Sequence, residues 1–530
     1  MKQRLIIILT ALITTLCLTA QDIVVRRGNC IPEGEAGSAS AARSQQPIRR
    51  ALPTPNTTWD ANRTYRQLVI LISFSDKDFL SDDPNDYYNK MFNEPGFQQR
   101  KGAGSVADYY RDQSGGLLNL QFDVYGPYKV SSKAQPYDNP TISTRNYGRN
   151  QMREAAQLFL KDNPDIDFSV YDWDEDNYVN QVIYIAAGYC GNQGSELSYG
   201  YIWPNTSSFT NNLSSPDGHI ISTYTCSSEL WTSNNSCGIG TICHEFSHSL
   251  GLPDFYPTDG NAGYSVVDEW DLMDGGNFVN NGSCPPNFTP MEKILLGWLD
   301  PVELTEPTTV TNLKPSAEGG EVYQIKHSAK EWLLLENRQL RGWDFGIPGK
   351  GLVIYHVYYD EAVWSNNHVN NIKDKRYYEL VHADNLDYDA WESLFYERYD
   401  AGLVKSRFQA SGHLNSLYLS TSSYPWSTDS TDFVNNELTD ESVPAAKMNY
   451  PNEIGNSMLE KPITNISMSE DGLISFDFMG GVSTAIRDVR HLDAPRPAVY
   501  DLFGRQVASR KHHSVYIIRK EDGTIQKVFK

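Results

Sequence analysis

Beyond its first twenty residues, this 530-residue chain has no apolar run long enough to cross a bilayer. A helical span takes about 20 consecutive apolar residues, so the pattern excludes a transmembrane helix downstream of the N-terminus. Positive charge is in short supply. The 45 Lys and Arg are outnumbered by 66 Asp and Glu, and the formal charge is −21. That makes a polyanion such as nucleic acid an unsuitable partner for most of the surface. Cysteine is scarce, seven in all, and nine methionines stand against 32 tyrosines. No internal repeat is visible. Apolar material is not lacking: 40% hydrophobic and 21% charged residues rule out wholesale disorder. At about 150 residues per domain, the length predicts three or four folded units. The acidity suits a soluble exported protein, or one that holds hard cations such as calcium on carboxylates.

The N-terminus reads as an export signal. Lys2 and Arg4 precede an almost continuous apolar run from Leu5 to Leu18, and Ala20 ends a small-residue cleavage context. This predicts a signal peptide over 1–20, cut between Ala20 and Gln21, and a secreted or cell-surface-attached product. Cys17 leaves with it. Five of the six remaining cysteines, Cys190, Cys226, Cys237, Cys243 and Cys284, lie between 190 and 284, so any disulfides are expected there, with the pairing open. Residues 21–60 carry few structure signals and include Arg49-Arg50, which reads as a propeptide or linker with a processing site.

A strand pattern at Leu68–Phe74, a helix pattern at Ala107–Asp112 and strand patterns at Leu118–Val124 and Gln181–Ala187 predict an α/β (α+β) layered domain over 61–300. From about 305 the pattern turns to short strands at Thr308–Leu313, Val322–Ile325, Trp332–Glu336, Gly351–Val357 and Leu473–Phe478. These predict a β-rich module over 301–480. Gly480-Gly481 marks the next boundary. The 481–530 tail has three short alternating runs, and residues 484–530 carry a net charge of +5 against the acidic whole.

One segment carries chemistry. His244 and His248 are four residues apart, so a helix sets both imidazoles on one face, one turn apart, where they can share a zinc ion. Glu245, the next residue along from His244, can reach a zinc-bound water as general base. Gly251 suits the left-handed stop of a helix, and Asp254 can return a carboxylate as third ligand. Upstream, Asp172, Asp174, Asp176, Tyr178 and Asn180 place oxygens at alternate positions, as a calcium loop does. Asn177 and Ile183 stand where an EF-hand needs Gly and Glu, so the loop is not an EF-hand.

The run His244-Glu245-Phe-Ser-His248-Ser-Leu-Gly251-Leu-Pro-Asp254-Phe-Tyr resembles the zinc signature of the immune inhibitor A-like metalloproteases, a metzincin group of secreted endopeptidases. Leu68–Phe79 is similar to that family's opening strand, and Ser105–Tyr128 to its following helix and hairpin. Trp270-Asp-Leu-Met273-Asp looks like its Met-turn, and Pro290–Leu299 like its closing helix. Leu335–Asp344 and Gly351–Val357 resemble its downstream β module, so the likeness covers about residues 66–390. The resemblance implies a metzincin-like fold, zinc ligation by His244, His248 and Asp254, Glu245 as base, and protein or peptide substrates. Cys30, in Arg27-Gly-Asn-Cys30, could act as the thiolate latency switch found elsewhere among metzincins, or could be an ordinary cysteine of the leader. The tail resembles sorting domains of type IX secretion cargo, which implies that machinery as a partner. The expectation is a secreted zinc endopeptidase made as a zymogen. The competing expectation is a surface adhesin with a vestigial or structural zinc site, against which Glu245 speaks, since a structural site needs no base.

Overall fold

A computed structural model describes residues 59–100, 102–135, 145–193, 200–232, 235–259, 266–385, 422–427 and 434–481, and three short strands beyond. The expected signal peptide, Cys30 and Arg49-Arg50 lie outside the described residues. The chain divides into two compact units, one ending at Gly481 and one beginning at Val482.

The first unit is built on a seven-stranded sheet: β1 (Thr64–Ser73), β2 (Asn119–Lys129), β3 (Tyr178–Val179), β4 (Val182–Tyr189), β5 (Asn205–Ser214), β6 (Ile220–Thr232) and β7 (Asn235–Ser236). The order is β2-β1-β4-β6-β3, with β5 and β7 also paired to β6. β1 runs parallel to both neighbours, Leu68 lying opposite Asp123 and Val182. A parallel strand in mid-sheet is covered on both faces, and Leu68 to Ser73 are accordingly all buried. The expected hairpin after residue 105 is replaced by one long strand, β2, parallel to β1. Parallel pairing needs a crossover. Here it contains α1 (Pro84–Asn93), capped by the Asp83 side chain, and α2 (Val106–Gln113), whose Ser105 and Asp108 form a reciprocal capping box. α3 (Arg145–Asp162) follows β2, and α4 (Gly240–Leu250) follows β7.

Downstream of α5 (Pro290–Leu295) come β8 (Val302–Glu303), β9 (Thr308–Leu313), β10 (Tyr323–Lys326), β11 (Glu331–Arg338), β12 (Gly351–Tyr358), α6 (Glu361–Ser365), β13 (Tyr378–Leu380), β14 (Trp426–Ser427), β15 (Val434–Asn435), β16 (Ile463–Met468) and β17 (Ile474–Phe478). The strands make a five-stranded sheet, β13-β12-β11-β10-β8, a three-stranded sheet, β16-β17-β9, and a two-stranded pair, β14-β15. Side chains alternate across a strand, and β11 and β12 use both faces. Trp332, Leu334, Val353 and Tyr355 belong to the core that contains β1, β4 and α4. Leu333, Leu335, Leu352 and Ile354 belong to a second core with Ile463, Ile474 and Phe476. Each buried leucine contributes about 1.5–3 kcal/mol of transfer free energy, so the two cores weld the β-rich sheets to the upstream sheet.

In the second unit, β18 (Ala498–Tyr500), β19 (Val515–Arg519) and β20 (Ile525–Phe529) pair antiparallel in that order. Among the described residues no helix is long and apolar enough to cross a membrane.

Candidate metal centre

α4 is short and almost wholly buried: Ile242, Cys243 and Phe246 pack into the first core. A Cβ on Gly240 would lie 2.1 Å from Asn277 O, so the helix starts in backbone contact with the 276–282 segment. Its end is set by Gly251, whose φ of 109° is the left-handed stop that the sequence predicts. From α2, the Tyr110 hydroxyl donates to Cys243 O at 2.7 Å and lies 2.9 Å from Ser247 Oγ. The helix is thereby pinned from behind.

Past Gly251 the chain turns back, and Asp254 meets the helix. Its Oδ1 lies 3.2 Å from His244 Nε2 and 3.0 Å from His248 Nε2. Donors about 2.0–2.1 Å from a tetrahedral zinc stand about 3.3 Å from one another, so these separations fit one ion. The other ring nitrogens are committed: His244 Nδ1 lies 2.7 Å from Leu272 O, and His248 Nδ1 lies 2.9 Å from Leu252 O. A carbonyl only accepts, so each Nδ1 carries a proton there and each Nε2 is turned to the shared point. Burial by itself would raise the Asp254 carboxyl, but the two imidazoles outweigh it and hold the group well below the usual carboxylate range. Asp254 is therefore an anion, and once a metal displaces the Nε2 protons the carboxylate and the two ring nitrogens make a donor set suited to zinc.

Glu245 is buried on the same helix, with Thr206 Oγ1 of β5 3.5 Å from its Oε2. Met273 is fully buried, and its backbone bridges the site: Met273 N donates to Asp271 Oδ1 at 2.6 Å, and Met273 O accepts from Phe255 N at 2.8 Å. Thr289 Oγ1 donates to Asp271 Oδ2 at 2.8 Å, and burial pushes the Asp271 carboxyl up to about 8. Beneath this turn Arg338 is buried, donating to both Asp344 oxygens, to Glu336 at 3.0 Å and to Asn287 O at 3.2 Å. The family-like stretch 335–344 thus supports the Met273 turn. Two contacts were not legible from spacing. The Tyr256 ring stacks on His244 at 6.3 Å and 15°. Asn367, from the β-rich region, is bonded to Asp254.

A second acidic group forms at Asp172, Asp174 and Asp176, which offer oxygens within 4.8 Å of one another. Glu175 and Asn177 take left-handed φ of 60° and 70°, turning those carboxylates inward. Tyr178 N donates to Asp176 Oδ1 at 2.8 Å. Asn180 spends its Oδ1 on Trp173 N, with its Nδ2 3.5 Å from Asp174 Oδ1. The expected concentration of disulfides at 190–284 is not found. Cys190, Cys237, Cys243 and Cys284 are buried thiols, and Cys226 Sγ lies 3.5 Å from Asn205 O. Burial raises the Cys243 thiol well above its ordinary value, which suits a packing residue.

Residues 190–296, which contain α4, the Met273 turn and α5, match the family model for the catalytic domain of immune inhibitor A peptidase M6. The pre-pro-metalloprotease PrtV of Vibrio cholerae serotype O1 is 22% identical over 281 residues, 48% of this chain and 30% of PrtV. Immune inhibitor A of Bacillus thuringiensis subsp. alesti is 23% identical over 275 residues, 44% of this chain and 39% of that protein. The chain spans less than half the length of these curated relatives. Family model and relatives agree: the part of the chain that holds the His244, His248 and Asp254 group is similar to the catalytic domain of immune inhibitor A peptidases.

Proposed function

We propose that the chain is a secreted zinc endopeptidase. Its metzincin-like catalytic domain spans 61–300, a β-rich module spans 301–480, and a sorting tail spans 481–530. The observation that carries this reading is the approach of Asp254 Oδ1 to within 3.2 and 3.0 Å of two Nε2 atoms whose rings are both locked by their Nδ1 bonds. His244, His248 and Asp254 would hold the zinc. When bound, zinc supplies Lewis acidity that brings the pKa of a water towards about 7 and polarises a scissile carbonyl. Glu245 takes the proton of the attacking water and returns it to the leaving amine. The substrates are extracellular proteins or peptides. Secretion is supported by the signal-like residues 1–20, and synthesis as a zymogen by the 21–60 segment and by PrtV's description as a pre-pro-protein.

Asp172, Asp174 and Asp176 make a calcium-binding loop in this reading, since three carboxylates so close repel one another until a divalent cation joins them. For Cys30 both readings stand, a latency thiolate or an ordinary cysteine of the leader.

The test is Glu245→Ala. The variant should keep about one zinc per chain by elemental analysis and lose casein cleavage by about 10²–10⁴-fold. Casein turnover at the parent rate would overturn the assignment.

A further inference from the structure

Asp254 is gripped from outside its own loop. Its backbone N donates to Asn367 Oδ1 at 2.6 Å, and Asn367 Nδ2 donates to Asp254 Oδ2 at 2.6 Å. Asn367 is 113 residues further along the chain, just past α6 in the β-rich region. It is buried, with φ of 61°, a left-handed conformation that Asn tolerates better than most residues. The same segment binds the ligand loop again through Thr258 and Phe255. Thr258 Oγ1 donates to Asn367 O at 2.5 Å, Thr258 N to Asn371 Oδ1 at 2.7 Å, and Asn370 Nδ2 to Phe255 O at 2.7 Å.

A carboxylate turns about its last bond and can offer a metal either oxygen or both. The Asn367 amide occupies Oδ2, and Oδ1 is the oxygen that faces His244 and His248. We infer that Asn367 is a positioning residue: it selects the oxygen that Asp254 presents and makes the metal affinity of the α4 site depend on the downstream β-rich region. This rests on reading His244, His248 and Asp254 as zinc ligands. Hydrogen bonds to a buried charge are strong, and loss of such a partner behind a metal ligand typically costs about 10–100-fold in affinity.

The test uses the full chain carrying Glu245→Ala, which removes self-cleavage. Zinc affinity is measured by competition with a chromogenic chelator, and ligand geometry by the visible spectrum of the cobalt-substituted protein. Asn367→Gly accepts the left-handed backbone and deletes both contacts to Asp254. It should bind zinc about 10–100-fold more weakly and shift the cobalt bands. Thr258→Val loosens the same strap without touching the Asp254 carboxylate, and should stay within about threefold of the parent. If Asn367→Gly loses its cooperative melt, Asn367→Ser, too short to reach Oδ2, carries the same expectation. Unchanged affinity and spectrum in the Asn367 variant, or an equal loss in Thr258→Val, would overturn the inference. A Glu245→Ala parent that binds no zinc would instead overturn the zinc reading itself.

Discussion

His244 Nδ1 donates to the carbonyl of Leu272 at 2.7 Å, joining the middle of α4 to the turn that carries Met273. This bond decides the tautomer of the first ring and fixes its plane, so the ring is preorganised before any ion arrives. His248 gets the same treatment from Leu252 O at 2.9 Å.

Removing one ring should therefore abolish metal binding rather than weaken it by degrees. His244→Ala leaves Asp254 buried beside one imidazole. The expected outcome is less than a tenth of the parent zinc content and no casein cleavage, with phenanthroline having no further effect. Elemental analysis beside a casein assay checks both. Parent-level zinc in this variant would remove His244 from the ligand set.

Arg338 lies fully buried between Glu336 and Asp344. Replacing one partner of such a cluster strands the others. Arg338→Met should cost about 3–5 kcal/mol, because two carboxylates lose the guanidinium that bonds them both while remaining out of water. Urea unfolding of the Glu245→Ala background measures it. A loss below about 1 kcal/mol would mean that the network relaxes by taking up water or protons.

A pH dependence follows from His356. Its Nε2 is 2.7 Å from Glu331 and its Nδ1 3.1 Å from Glu379. Burial would lower this imidazole, but the two carboxylates outweigh it and raise it from 6.5 to about 9. The folded state holds the proton more tightly than the unfolded chain. The resulting stability is complete below about pH 6.5 and is lost as pH rises through about 9, an effect on the order of 3 kcal/mol. His356→Gln should flatten this slope in denaturant titrations at pH 6, 8 and 10. A slope unchanged by the substitution would assign it to other groups.

Calcium should act on the loop at Asp172 through Asp176. Burial and the neighbouring Asp176 and Asp172 raise the Asp174 carboxyl, a sign of crowding between like charges. Calcium added at fixed zinc should raise the melting temperature, and Asp174→Asn should remove most of that rise. Without calcium the same variant should be no less stable than the parent, because it relieves repulsion. A calcium response that survives Asp174→Asn would place the ion elsewhere.

Much of this was legible along the chain because it depends on short-range periodicity. A spacing of four on a helix brings His244 and His248 together, and Gly251 stops that helix by needing no Cβ. The alternation over Thr308–Leu313 and the apolar run at Leu68–Phe74 mark strands that the structure contains. Pairing partners were less legible. Leu118–Val124 read as a strand and the resemblance implied a hairpin, whereas β2 pairs parallel to β1 across a crossover that contains α1 and α2. The cysteines at 190–284 raised a question about disulfides that side-chain placement answered with buried thiols.

By itself the sequence determined the donor types, their order on one helical turn, the nearby carboxylate and the change from α/β to β-rich pattern near residue 300. The tertiary structure decided which carboxylate oxygen meets the two imidazoles, which carbonyls hold their rings and which distant asparagine holds Asp254. The physical reason is range. Helix spacing acts over four residues, whereas a bond such as Asn367 to Asp254 spans 113 and depends on how the chain packs on both faces of β11 and β12.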